Sequence, residues 1–305
     1  MQWGNIKTLF ILSFLILNIY LIFAFIDRQQ DVGYLDNQEL PIEDQLASEQ
    51  ITDDSKAVDV TELAYISVVQ RELSDKDLEE LDELEGQTIE VFNNNLIISQ
   101  LDSPVKLSPN KSKDALEAAV LPHVLYGDEY VFAEWNEELN ILMFFQEKEN
   151  RPIYYNENGL LLVFLNDDNE VTHYSQTILG KAEVQGEPVQ LNQPTQVIGQ
   201  LFKANYLHRG DNVSDIEIGY YSRITAEGIQ VFAPTWKVSV NEERDHFVNA
   251  IEGLIYESNQ TEFLLNVIGE HMMRVNMLDE ENDLRENFLP ILEERLELDN
   301  RSETE

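Results

Sequence analysis

The chain contains no cysteine, which excludes disulfides, thiolate nucleophiles and cysteine metal clusters and leaves any large folded domain dependent on its core alone. Basic residues are scarce: 20 Lys and Arg stand against 58 Asp and Glu, a formal net charge of -38. Such a surface repels nucleic acid, so DNA or RNA binding is excluded. The acidity has two readings, solubility in a high-salt or alkaline medium and a specific electrostatic role, and charge alone names no partner. Catalytic signatures are also missing, since there is no GxSxG, GxxxxGKS/T, HExxH or CxxC, and each of those encodes a defined nucleophile, phosphate cradle or metal site. The histidines His123, His173, His208, His246 and His271 are scattered through the chain and read as solvated surface residues rather than a metal site. Acidic pairs such as Asp167-Asp168 read as turn residues, because a calcium loop wants DxDxDG with its glycine. No metal or cofactor is expected, and the chain reads as a non-enzyme.

What the chain does have is 43% hydrophobic residues over 305 positions, enough for a sizeable core and against wholesale disorder. A long apolar run, IKTLFILSFLILNIYLIFAFI, occupies 6–26; as a helix it measures roughly 30 Å, the thickness of a bilayer's hydrocarbon core. Lys7 at its start and Trp3 before it suit the headgroup level. Asp27 and Arg28 cancel after the run and an acidic stretch begins at Asp31, so the positive-inside rule puts residues 1–5 in the cytoplasm and everything after the span outside the cell membrane. A cleaved signal peptide is the rival reading. It fits less well, because the run exceeds a normal h-region and no small-x-small site follows Phe25. Asn18 falls close to the bilayer centre, where an amide either joins a neighbouring helix, contributing about 1 kcal/mol, or bonds its own backbone. Ile11, Phe14, Asn18 and Phe25 are the candidate partner-contact positions of the span, with Trp3 and Lys7 as interface anchors.

Residues 27–57 are polar and acidic without a sustained period and read as a linker. From Val58 the pattern is α+β. A β-rich segment at 63–73 leads to a short helix opened by Ser74, a strand at 96–101, a helix at 112–120, and strands at 130–135, 139–146, 152–155, 160–165 and 171–178. Asn158-Gly159 suits the positive-φ positions of a hairpin turn, and Asn166-Asp167-Asp168-Asn169 is a second reversal. A helix at 194–204 and strands at 215–221, 229–232, 236–240, 247–250 and 254–256 repeat the outline. The expectation is two helix-plus-antiparallel-meander halves, 58–180 and 181–258. In the acidic tail, 259–305, Phe263, Leu264, Val267, Ile268, His271, Met272 and Val275 recur at helical spacing. A second amphipathic stretch, 288–298, has Pro290 at an early helical position. These helices either pack on their own domain or dock a partner. Trp135, Trp236, Tyr154, Tyr155, Tyr220 and Tyr221 read as strand core, with a glycan or peptide groove as the alternative.

The combination of Trp3, Lys7-Thr8 entering the span and Phe14-Leu15-Ile16-Leu17-Asn18 within it resembles the YycI (WalI) family. Tyr220-Tyr221-Ser222, Pro234-Thr235-Trp236-Lys237-Val238 and Val248-Asn249-Ala250-Ile251-Glu252-Gly253 are similar to that family's carboxy-terminal half, including its PepSY-like, YycH-like ending. The resemblance covers 1–258, and the tail beyond is longer and more acidic than the family pattern. It implies a regulator of the WalK–WalR (YycG–YycF) two-component system of low-GC Gram-positive bacteria. The expected partners are the sensor histidine kinase WalK (YycG) and a YycH-like protein, with the bilayer contacted through 6–26. Signal transduction to cell-wall metabolism is the implied output. The competing expectation is a membrane-tethered module that binds a cell-wall fragment or peptide.

Overall fold

The computed structural model describes residues 7, 10–22, 41–56, 58–108, 112–222, 228–256 and 259–302. They form two compact units, residues 1–52 with 208–210, and residues 53–207 with 211–305. In the smaller unit helix α1 runs over 10–22 and α2 over Ile42–Ser48, behind Pro41. The stretch expected as a linker, 27–57, therefore contains a helix. Seven residues are too few to display a period, while Glu43 and Asp44 in the first turn complement the helix dipole. The Gly210 amide donates to the Glu49 carbonyl at 3.0 Å and closes this unit.

At the sequence boundary stands β1 (Thr52–Asp53). The larger unit continues with β2 (Glu62–Val69), α3 (Asp75–Asp82), β3 (Gln87–Phe92), β4 (Leu96–Lys106) and α4 (Lys113–Val120). A run of strands follows: β5 (Tyr130–Asn136), β6 (Ile141–Lys148), β7 (Arg151–Tyr154), β8 (Leu160–Leu165), β9 (Glu170–Thr177) and β10 (Glu183–Gln190). After α5 (Pro194–Lys203) come β11 (Asn212–Tyr221), β12 (Ile229–Val240), β13 (Arg244–Asn249) and β14 (Ile255–Tyr256), then α6 (Gln260–Val275) and α7 (Asp283–Ser302). The fold is mixed α+β, dominated by one large sheet in the order β10-β2-β12-β11-β7-β6-β8-β9-β4-β3. Along that path only β7 and β11 pair in parallel, Tyr220 with Ile153 and Tyr221 with Tyr154; the remaining neighbours are antiparallel.

Strands β6 and β8 read as unbroken apolar runs because both of their faces are covered. Alternate residues Ile141, Met143, Leu160, Leu162 and Phe164 pack with Leu264, Ile268, Leu284, Phe288 and Leu292 of α6 and α7. Leu142, Phe144, Leu161 and Val163 face the other way, against Leu81 of α3 and Leu116 and Val120 of α4. The carboxy-terminal helices thus complete the core of their own domain, one of the two outcomes expected for them. Pro290 lies inside α7 rather than near its start. It is exposed, as is Glu286, so the carbonyl that loses its N–H partner faces water.

Turn chemistry is partly as expected. Asn166 Oδ1 accepts from the Asp168 and Glu170 amides at 3.0 and 2.9 Å, and Asn169 takes φ 57°, so the acidic pair is a turn. In the reversal before β8, however, the positive φ belongs to Tyr155, at 46°, not to Asn158 or Gly159. Gly159 is required for packing instead: a Cβ there meets Leu179 Cδ1 at 2.6 Å.

Candidate functional site

Helix α1 carries three of the candidate contact residues. Ile11, Phe14 and Asn18 are separated by three and four positions and share one helical face; Ile11 and Phe14 are 69% and 60% exposed. Lys7 is also helical and exposed, whereas Trp3 and Phe25 lie outside the described residues. Every residue of 10–22 is exposed, which leaves a mostly apolar surface all round the helix that no other described residue covers. Such a helix is matched to an apolar surrounding or a partner rather than to water. Among the described residues no helix is long and apolar enough to cross a membrane; those of α1 account for thirteen of the 21 positions in the expected span.

The larger unit holds an acidic cleft of about 510 Å³. It is built where β5, β11, β12 and β13 meet the start of α6, and Glu134, Asp215, Glu242, Glu243 and Asp245 surround the single amine of Lys237. Lys237 Nζ lies 3.0 Å from Asp245 Oδ2, and the Ser239 hydroxyl donates to Asp245 Oδ1 at 2.5 Å. Burial pulls the Lys237 pKa down, but the carboxylates of Asp245, Glu217 and Glu134 together outweigh it and raise the value. Burial, then the Asp245 charge, raises the Glu134 carboxyl. No histidine lines the cleft, and its second serine, Ser214, donates to the Ser239 carbonyl at 3.1 Å. Among the described residues no group of His, Asp or Glu side chains is arranged to hold a metal ion.

The histidines correct the sequence reading, which placed all five on the solvated surface. His173 and His271 are only 5% and 6% exposed. Burial lowers the His173 pKa to about 4, and burial reinforced by Arg274 lowers that of His271 to about 3. His173 alternates with core residues on β9, and His271 occupies an apolar position of α6 at the spacing already noted, so the signal was present in the pattern. Sequence reasoning also missed the cluster of Arg71, Asp77 and Tyr126. The Tyr126 hydroxyl and Arg71 Nη2 both donate to Asp77 Oδ1 at 2.6 Å, and the Ser74 amide and hydroxyl donate to Oδ2 at 2.8 and 2.9 Å. Asp77 is fully buried. It completes a capping box with Ser74 at the start of α3. Of the aromatics read as strand core, Trp236, Tyr154 and Tyr220 are buried, Trp236 with its indole N–H donating to the Asn192 carbonyl at 2.9 Å, whereas Trp135, Tyr155 and Tyr221 are half-buried and Tyr155 lines the acidic cleft.

The comparison with known proteins gives the family. The family model described as YycI protein matches residues 29–251. The chain belongs to the YycI family. Membership bears out the family resemblance over 29–251 and supports a regulatory role in the WalK–WalR system. No curated protein matches the chain. Among solved structures, that of an uncharacterized protein from Eubacterium rectale is similar over 69% of this chain and 91% of that one, with a TM-score of 0.41 and 11% identity, too loose a likeness to bear on function. The YycI match stops at 251, so α6 and α7, which complete the core, lie beyond it.

Proposed function

We propose that this YycI-family chain is a membrane-anchored, non-catalytic regulator of a WalK-type sensor kinase, acting together with a YycH-like protein to adjust cell-wall metabolism. The anchor is the helix over 6–26, with residues 1–5 cytoplasmic, 27–57 a spacer, and the α+β regions 58–180 and 181–258 with the helical tail 259–305 outside. The observation that carries this reading is the family match joined to α1, whose apolar side chains are exposed on all faces. A lipid environment satisfies such a helix, and the contact face of Ile11, Phe14 and Asn18 then meets the kinase or the second single-span protein within the bilayer. Coupling follows if that association favours one conformation of the kinase over the other.

The test replaces 6–26 with an unrelated polyleucine span in cells and follows kinase-dependent transcription. The expected result is loss of regulation with the external domain still folded; unchanged regulation sinks the membrane-contact mechanism. Co-purification from solubilised membranes with the kinase and the YycH-like protein is the matching biochemical readout. The acidic cleft favours a second reading, a tethered module for a cationic wall fragment or peptide. Specific retention of the external domain on cell-wall material is the result that would establish it.

A further inference from the structure

The outer face of β10, β2 and β12 is left uncovered, in contrast to both faces of β6 and β8. Register places Val189 beside Leu63, Ile229 beside Val69 and Val231 beside Ser67, and because cross-strand partners share a face these side chains form one apolar surface. Ile229 is 70% exposed, Val231 53%, Val69 47% and Val189 41%. The opposite faces of β2 and β12 are sealed, with Ile66, Val68 and Phe232 in the core, whereas β10 is exposed on both of its faces. A contiguous exposed apolar patch on one face of a closed core marks an interaction surface.

Its surroundings are acidic. Glu183 stands opposite Ser67 on the same face, the Tyr65 hydroxyl donates to Glu252 at 3.4 Å, and Glu187 is exposed in the bulge of β10; the nearby guanidinium, that of Arg71, is bound to Asp77. The edge of β10 does not invite strand addition, since its register shifts between Gln185 and Val189, Gly186 takes φ +74° and Pro188 offers no N–H. The face, not the edge, is therefore the docking element. A second copy fits poorly: it brings carboxylate rims together and sets a chain of charge -38 against another.

We infer that the Val69, Val189, Ile229 and Val231 face docks a different protein, through an apolar surface flanked by lysines or arginines. The inference rests on the proposed function in one respect, that the kinase and the YycH-like protein are the partners to try. The experiment uses the full-length chain co-expressed with both and solubilised in mild detergent. Capture is compared for wild type, the double variant Ile229→Asp/Val231→Asp and the rim variant Glu183→Lys/Glu252→Lys. A photocrosslinker at position 229 is set against one at Asp167. Loss of capture by at least about tenfold in the first variant, a smaller loss in the second, and a cross-link to one of the two proteins from 229 but not 167 are expected. Unchanged circular dichroism of the exposed-site variants separates docking from folding. Equal capture by Ile229→Asp/Val231→Asp, or a chain-to-chain adduct from 229, overturns the docking surface while leaving the regulator reading intact. Failure of the wild-type chain to capture either protein overturns both.

Discussion

The imidazole of His173 on β9 lies flat against the ring of Phe288 on α7, with centroids 4.8 Å apart and planes 10° from parallel. The stack joins the sheet to the last helix of the chain. It also places a titratable ring where its charged form is poorly tolerated.

Stability should therefore fall on acidification. Burial holds folded His173 at about 4, below the unfolded value near 6.5, so between those limits the unfolded chain binds the extra proton and stability rises with pH. It is lost as pH falls from about 6.5 to 4, by up to about 1.4 kcal/mol per pH unit from this ring. Glu134, Glu147 and Glu157, raised by burial, act in the opposite sense. A His173→Phe variant keeps the stack and removes the titration. Thermal midpoints of the full chain in detergent at pH 7 and pH 5 should fall less in the variant, and an equal fall in both proteins refutes the assignment.

Asp77 is the second sensitive position. Burial pushes its carboxyl up, but hydrogen bonds from Tyr126 and Ser74 and the Arg71 guanidinium outweigh that and hold it at about 2. Its contribution is present above the ordinary value of 3.8 and disappears as pH falls through 2. Asp77→Ala strands Arg71 and Tyr126 and removes the half of the capping box in which the Ser74 amide is satisfied, so a loss of about 2–4 kcal/mol is expected. Denaturant midpoints at neutral pH measure it.

Gly219→Ala probes the parallel junction of β7 and β11. A Cβ at Gly219 meets the Pro152 carbonyl and the Tyr154 ring at 2.5 Å, and backbone on one side leaves little room to yield. Destabilisation of about 1–3 kcal/mol is expected. Gly210→Ala differs, since nothing lies within 4 Å of its Cβ but its φ is +85°; it should cost about 1 kcal/mol through strain alone. Equal effects on the melting temperature would contradict the packing account.

Phe288→Ala should cost about 3–5 kcal/mol, because the ring is fully buried and makes an edge contact with Phe164 as well as the His173 stack. A loss under about 1 kcal/mol, read from chemical unfolding, would show that the tail is an appendage rather than core.

How far the fold was legible follows from where the periodicity is strong. The strands β5 to β9 and the helices opened by Ser74 and Ser112 fall within a residue or two of expectation, because continuous apolar runs and capping residues speak locally. β10 did not: its EVQGEPVQ carries Gly186 and Pro188 and is exposed along its length, so it lacks the burial that writes a strand pattern. β3, at Gln87–Phe92, was likewise passed over. The strand Ile229–Val240 was read as two, split where Pro234 interrupts its pattern. The position of β2 between β10 and β12 was invisible, since nothing in 62–69 names a partner more than a hundred residues away. The site is the harder part. The apolar sheet face arises only when Val69, Val189 and Ile229 are brought together by pairing.

The place of β2 has a kinetic consequence. Its partners begin at Glu183 and Ile229, so a chain emerging from the ribosome holds β2 unpaired until most of its length has been made. Loop closure over that separation is slow compared with a local hairpin. During synthesis the apolar alternation of β2 is thus a standing invitation to wrong strands, and the interval before β12 arrives is when a chaperone has most to protect.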